Sequence, residues 1–409
     1  MTERTAGADE RYMRRAIELA KRGRGYTNPN PIVGAVIVRD GRVIGEGYHA
    51  RCGELHAERN ALAACSEDPA GADLYVTLEP CCHTGRTPPC TEAIIAARMG
   101  RVFVGSADPN PKVAGGGVRQ LRDAGITVVE NVLRRECDAL NTVFFHYIRS
   151  GRPYLTLKYA MTADGKIATR SGLSKWITGE EARRDVHLLR HENAVILAGI
   201  GTVLADDPLL NCRLAHPIPG RDEPGLDPVR VICDSRLRIP LAAQIVRTAG
   251  EIRTIIATVD PQVSGSVSAT VDPAASAAAA IDDAAAPADA PADRAAKARQ
   301  LKEAGCEVLA LPAADDGEVD LAALLQRLGG EQLDSVLLEG GGTLAWSAVR
   351  AGLVDRVIAY TAPKIFGGAE APTPVRGEGF DRPDQGLRMQ VRSVRQLGAD
   401  IRTEYEVMR

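Results

Sequence analysis

The sequence predicts two α/β domains in tandem. Strand-like and helix-like stretches alternate along most of the chain, as they do where helices pack on a sheet. At Ser150-Gly151-Arg152-Pro153, Gly and Pro interrupt that pattern, and a new strand begins at once. A chain of 409 residues also exceeds what one ordinary core organises. The expected division is residues 1–149 and 150–409.

In the first domain, Met13, Ala16, Ile17 and Ala20 fall at helical spacing, and Gly23 suits a helix stop. Residues 32–38 are an apolar run, and Asp40-Gly41 turns the chain into 42–47 as a hairpin. A helix is expected from about His56, a strand over 74–78, a helix over 91–99 and a strand over 102–105. Residues 117–124 and 126–129 add one more helix and strand.

The second domain opens on a strand at 154–159. Thr178 and Glu181 have capping-box spacing, so a helix should run to about residue 190. Buried strands are expected over 194–198, 229–233, 252–257, 308–311, 335–338 and 355–360. Between 263 and 296 the composition collapses into Ala, Pro, Asp and Ser, which has little to bury. That stretch reads as a mobile surface insertion, its repeated prolines opposing a long helix. Residues 387–407 read as two strands without a motif.

The net charge of -3 and 4% aromatic content argue against nucleic acid or an acidic membrane as partner. The polar opening MTERTAGADE has no apolar core, and the cytoplasm is the expected location. Of nine cysteines, Cys81, Cys82 and Cys90 crowd into ten residues, which points to a metal or a reactive thiol rather than to disulfides.

Two stretches carry the first chemistry: His56-Ala57-Glu58, and Glu79-Pro80-Cys81-Cys82-His83-Thr84-Gly85-Arg86-Thr87-Pro88-Pro89-Cys90. Zinc held by His56, Cys81 and Cys90 leaves a fourth position for water, whose pKa the metal lowers to about 7. Glu58, two residues after the imidazole, can face that position and move protons without ligating. Cys90 opens a helix, where exposed N–H groups favour a thiolate. A structural site closed by His83 is the competing arrangement, and Cys82 is a second thiol beside the metal. The zinc deaminase pattern H-x-E with P-C-x-x-C is kept except for the cysteine spacing, which is eight intervening residues here. That wider spacing resembles the riboflavin-specific pyrimidine deaminases, with Cys82 where that family usually has Ser. The resemblance implies a cytidine-deaminase-like three-layer domain, with Asn28 and His49 touching substrate and Arg86 and Thr87 near its phosphate. Asp108-Pro109-Asn110-Pro111 either lines the same pocket or is simply a turn.

A second constellation begins at Ser335–Glu339, a strand, followed by Gly340-Gly341-Gly342-Thr343 and a helix from Leu344 to about Arg350. A glycine turn feeding a helix can cradle phosphate on bare N–H groups, although this one is not the dinucleotide fingerprint. With Lys158-Tyr159-Ala160-Met161-Thr162-Ala163-Asp164-Gly165-Lys166, Ser174-Lys175-Trp176 and Gly201 to Pro208, the order resembles the riboflavin-specific reductases of the dihydrofolate reductase fold. That resemblance implies an NADPH site at Ala160, Trp176, Thr202, Asp206, Ser235, Gly341, Gly342, Thr343, Leu344, Ala345, Trp346 and Ser347. Substrate contacts fall to Ser174, Arg190, Leu210, Arg213 and Glu339. Arg190 and Arg213 are the expected phosphate clamps, since a guanidinium pairs bidentately with phosphate. Lys158 or Glu339 assists proton delivery, and Trp176 is alternatively a core aromatic.

The expectation is a bifunctional enzyme: hydrolytic deamination of the 2-amino group of a phosphoribosylated diaminopyrimidine, then reduction of the ribosyl to a ribityl chain. Its cofactors are Zn2+ and NADPH. Its partner is a small phosphorylated pyrimidine, and a homo-oligomer is compatible with the sequence.

Overall fold

The structure, a computed structural model, describes residues 6–84, 88–260 and 291–408. Arg86, Thr87 and residues 263–290 lie outside the described residues. Contacts divide the chain into two units. The first takes the described part of Met1–Pro153 with Ala215–Leu226 and Gln332–Asp334; the second takes the described remainder.

The first unit runs α1 (Ala6–Lys21), β1 (Gly34–Arg39), β2 (Arg42–Tyr48), α2 (Ala57–Ala63), β3 (Asp73–Leu78), α3 (Cys90–Ala96), β4 (Arg101–Ser106), α4 (Gly116–Asp123), β5 (Thr127–Val129), α5 (Arg134–Leu140) and α6 (Thr142–Ser150). Its five strands lie in the order β2-β1-β3-β4-β5. β1 is antiparallel to both neighbours, and β3, β4 and β5 are parallel. Because successive side chains leave a strand on opposite faces, the sheet buries two layers of apolar residues. Ile37, Leu74, Val76, Val102 and Val104 pack with Ala57, Ala61, Ile94, Val118 and Leu121 of α2, α3 and α4. Val36, Val38, Tyr75 and Phe103 pack with Met13, Ala16 and Ile17 of α1 and Cys137 of α5. This is the expected three-layer arrangement. Helices α5 and α6 are additional to the expectation. Arg134–Leu140 is short and largely polar and carries no visible apolar stripe.

The second unit runs β6 (Tyr154–Thr162), α7 (Glu180–Glu192), β7 (Val195–Gly199), α8 (Ile200–Asp206), β8 (Val229–Cys233), α9 (Gln244–Arg247), β9 (Thr254–Val259), α10 (Pro291–Glu303), β10 (Glu307–Leu311), α11 (Leu321–Gly330), β11 (Ser335–Glu339), α12 (Gly342–Arg350), β12 (Arg356–Ala362), β13 (Met389–Leu397) and β14 (Asp400–Val407). The nine-stranded sheet has the order β10-β9-β8-β7-β11-β6-β12-β14-β13. It is parallel up to β12, and the last two strands form an antiparallel hairpin at its edge. Ile196, Ala198, Ile232 and Ile256 pack with Val203 and Leu301, while Leu337, Ile358 and Tyr360 pack with Ala182, Val186 and Leu189 of α7.

Two expectations are corrected here. The capping box at Thr178 does not form. Gly179 occupies the N-cap of α7, and its N–H donates to Asp400 Oδ2 at 2.7 Å. The expected insertion over 263–296 ends early, because residues 291–296 already belong to α10. Proline opposes a helix interior but suits the first turn, where its missing N–H has no partner to lose. Pro291 is a helix opener.

Candidate active sites

In the first unit, the carboxyl end of β3 and the starts of α2 and α3 meet. His56 is the N-cap of α2, and Cys90 is the first residue of α3. His56 Nδ1 lies 3.5 Å from Cys81 Sγ and 3.4 Å from Cys90 Sγ. The three donor atoms all lie within 4.8 Å of one another, and they are the only such group among the described residues. In a tetrahedral zinc site, donors at about 2.1 and 2.3 Å from the metal stand roughly 3.6 Å apart. The spacing and chemistry of this set therefore fit zinc. The backbone N–H of Cys90 donates to Cys81 Sγ at 3.3 Å. The Cys81 thiol is pulled well below its ordinary value, first by its hydrogen bond from Cys90, with burial opposing and His56 adding. Cys82 turns away, its Sγ 3.7 Å from the carbonyl of Lys112. His83 is not part of the cluster.

Glu58 is the second residue of α2, in its first turn, at 3% exposure. Burial, then the charge of Cys81, raises its affinity for a proton, and Cys90 is its hydrogen-bonding neighbour. His49 is buried at the end of β2, its ring 5.1 Å from that of His56. Its Nδ1 faces the carbonyl of Leu55 at 3.1 Å. A carbonyl only accepts, so Nδ1 carries the proton and Nε2 accepts from Asn30 Nδ2 at 3.2 Å. Burial pushes this imidazole down to about 4, so it is neutral at pH 7. Asn28 lies in the loop that also carries Asn30.

Sequence reasoning missed Glu79. Its buried carboxylate accepts from the backbone N–H groups of Asp108 at 3.4 Å, Gly115 at 3.1 Å and Val118 at 3.1 Å. It thereby pins the loop from Asp108 to α4 beside the metal strand. The fit is close: a Cβ on Gly117 would stand 2.1 Å from the Pro80 carbonyl. Its position inside the cysteine motif was the only signal, and nothing local named its partners.

In the second unit, the site lies where parallel strands end, the usual crevice of an open α/β sheet. Gly340 and Gly341 take φ of +96° and +83°, and a Cβ on Gly340 would stand 2.8 Å from Thr202 Oγ1. The glycine turn, Thr343 and Leu344 thus gather with Thr202 of α8. Ser174 Oγ donates to Asp206 Oδ1 at 3.2 Å. Trp176 is 65% exposed beneath the Arg183 guanidinium, so it is not a core aromatic. Ala160 lies near the end of β6, opposite Tyr360. Ser235 follows β8, and its hydroxyl donates to Glu318 and accepts from the Val319 N–H. Not all of the α12 positions reach the turn. Ala345 is buried, and the Ser347 hydroxyl bonds the Thr343 carbonyl within the helix. Trp346 stacks edge-on against Phe380 at 4.9 Å and lines an apolar cavity of about 250 Å³ with Leu157 and Tyr159.

Glu339 ends β11 and is gripped from both sides. Arg190 approaches in a fork, Nε to Oε2 and Nη2 to Oε1, both at 2.9 Å, and Lys158 Nζ lies 3.2 Å from Oε1. Burial works to raise this carboxyl, but Arg190 and Lys158 outweigh it and hold it well below the ordinary carboxylate range. Arg190 also donates to the Asn211 carbonyl at 3.0 Å, so its fork is committed within the protein. Arg213 is exposed, and its Nε donates to His187 Nε2 at 3.3 Å. Burial, then Arg190 and Arg213, push that imidazole down to about 4. Leu210 is buried beside them, at φ +51°.

Comparison with known proteins covers both units. The family model for the cytidine and deoxycytidylate deaminase zinc-binding region matches residues 6–106, and that for the RibD C-terminal domain matches residues 153–403. The riboflavin biosynthesis protein RibD of Actinobacillus pleuropneumoniae is 50% identical over 397 residues, 97% of this chain and 95% of its own. That of Escherichia coli strain K12 is 39% identical over 402 residues, 96% of this chain and 98% of its own. Among solved structures, Acinetobacter baumannii RibD, form 1, matches with a TM-score of 0.81 at 37% identity, over 99% of this chain and 100% of that one. A diaminohydroxyphosphoribosylaminopyrimidine deaminase/5-amino-6-(5-phosphoribosylamino)uracil reductase of Thermotoga maritima matches at 0.77 and 34%, over 98% and 99%.

Proposed function

The chain belongs to the bifunctional RibD family of riboflavin biosynthesis, and from that premise we propose that His56, Cys81 and Cys90 hold its zinc, that Glu58 moves the protons of deamination, and that the carboxyl edge of the long sheet binds NADPH and substrate. The enzyme is a zinc deaminase and an NADPH-dependent reductase of a small phosphorylated pyrimidine. Deamination replaces the 2-amino group of 2,5-diamino-6-(5-phosphoribosylamino)pyrimidin-4-one by a carbonyl, and reduction converts its ribosyl to a ribityl chain. We assign the first activity to residues 1–149 and the second to 150–409. Nine free cysteines suit a reducing compartment, the cytoplasm.

Held by His56, Cys81 and Cys90, zinc would supply a water whose pKa is lowered to about 7. Glu58 would carry two protons in turn, one from the attacking water to a ring nitrogen and then the other to the departing ammonia. Burial favours the protonated form of Glu58, which suits an acid in the second half of that exchange. His49, neutral and locked by Asn30 and Leu55, forms a fixed wall with Asn28 against the pyrimidine. Arg86 and Thr87 stay assigned to the phosphate by family position.

NADPH supplies the hydride in the second site. The turn at Gly340–Thr343 presents bare N–H groups at the start of α12 for its phosphates, with Thr202 closing the turn. Ala160, Trp176, Asp206 and Ser235 complete that site, with Ser174 and Leu210 toward the substrate. Between Lys158 and Glu339, Lys158 is the proton donor, because Glu339 is held ionised. Arg190 keeps it so, which leaves Arg213 as the cation for the substrate phosphate.

The convergence of His56, Cys81 and Cys90 beside a buried Glu58 carries this reading. The test supplies the phosphorylated diaminopyrimidine with and without NADPH, following ammonia and nicotinamide absorbance separately. Ammonia should appear without NADPH, and NADPH should be consumed only after deamination. Ammonia without any NADPH consumption contradicts the second assignment, and no ammonia contradicts the first.

A further inference from the structure

We infer that Arg221 is a positioning residue of the deaminase pocket, holding together the two loops that carry Asn28 and His49. Its sequence position does not announce this. Residues 215–226 lie inside the stretch that matches the reductase family model, yet they fold as part of the first unit.

Arg221 is 8% exposed. Its Nη1 donates to two main-chain carbonyls, Arg22 at 3.1 Å and Ala50 at 2.8 Å. One carbonyl comes from the loop after α1 and the other from the residue after His49. The far side of the guanidinium forks onto Glu223, Nε to Oε1 and Nη2 to Oε2, both at 3.1 Å. Its plane lies 3.7 Å from the centre of the Tyr26 ring. Tyr26 replies with its hydroxyl to the carbonyls of Glu223 and Pro224, at 3.2 and 3.1 Å. Arg51 also pairs with Glu223, and Cys52 N–H donates to the Tyr26 carbonyl at 3.2 Å.

Only a planar, five-donor cation can bridge two carbonyls, fork a carboxylate and stack on a ring at once; an ammonium offers a single point charge. The two carbonyls stand at the bases of the loops that end in Asn28 and His49. Arg221 touches no reacting atom, so its contribution is to the spacing of those two walls.

The inference rests on the reading that Asn28 contacts the pyrimidine, and the experiment separates the two. Deaminase KM and kcat, zinc content and thermal midpoint are measured for Arg221→Ala, Arg221→Lys, Asn28→Ala and Arg221→Ala/Asn28→Ala in the full-length, zinc-loaded enzyme. Arg221→Ala should raise KM for the diaminopyrimidine about tenfold, with kcat within about threefold and zinc retained. Arg221→Lys should show a smaller rise in the same direction. In the Asn28→Ala background, Arg221→Ala should add little, since its effect passes through the same wall. A raised KM for Asn28→Ala with an unchanged KM for Arg221→Lys or Arg221→Ala overturns this inference and leaves the pocket reading standing. Fully additive effects, or a fall in thermal midpoint with KM unmoved, overturn it as well. An unchanged KM for Asn28→Ala overturns the pocket reading and this inference with it. If Arg221→Ala is insoluble, the KM of Arg221→Lys decides.

Discussion

Glu58→Gln keeps the size of the side chain and removes its ability to shuttle a proton. Ammonia release should fall about 10²- to 10⁴-fold while zinc stays bound, which metal analysis beside the ammonia assay checks. Arg190 makes a different kind of prediction. Removing it leaves Glu339 buried against Lys158 alone, and breaking such a pair costs about 3 kcal/mol. The cluster depresses the Glu339 carboxyl, so its stabilisation is present above the ordinary value of 4.5 and is lost as pH falls through the lower folded value. Calorimetry should therefore show Arg190→Ala well below wild type at pH 7, with the gap closing on acidification below about 4.5. At this scale the grouping of His56, Cys81 and Cys90 was legible because their motif is short and local. The commitment of Arg190 to Glu339 was not, since 149 residues separate them and composition does not announce an ion pair.

Local pattern fixed the elements wherever a run is largely apolar. The run at 32–38 and the strand at 74–78 stand close to where they were expected, because each is largely apolar and buried on both faces of its sheet, and Asp40-Gly41 turns β1 into β2. Where a tertiary partner decides, the pattern misled. Asp400, on the distant strand β14, caps α7 at Gly179, and Pro291 opens α10 inside a stretch whose composition suggested no structure. The turn before α12 offers a sharper test. Gly340→Ala would put a methyl into Thr202 at a left-handed φ, a conformation that costs an L residue about 1–2 kcal/mol. Chemical denaturation of the second unit should register that cost, and NADPH titrated by its fluorescence should bind more weakly, since the turn or Thr202 has to shift to make room. Glu79→Ala frees three N–H groups at once, two of them buried. The loss should be about 3 kcal/mol in chemical denaturation of the first unit.

On the scale of the whole chain, the two chemistries should separate. Stripping zinc with a chelator should abolish ammonia release, while NADPH-dependent reduction of the already deaminated substrate continues at its former rate. The long segment of the first unit ends at Pro153, where Gly and Pro break the sequence pattern. The return of Ala215–Leu226 to the first unit was not legible, because no break in pattern marks a contact made by backbone carbonyls. The most direct measurement is X-ray absorption at the zinc edge of the loaded, full-length enzyme. It should show two sulfur neighbours and two nitrogen or oxygen neighbours, with the outer-shell scattering of a single imidazole. Three sulfurs, or the outer-shell scattering of a second imidazole, would place Cys82 or His83 on the metal and contradict an open corner beside Glu58.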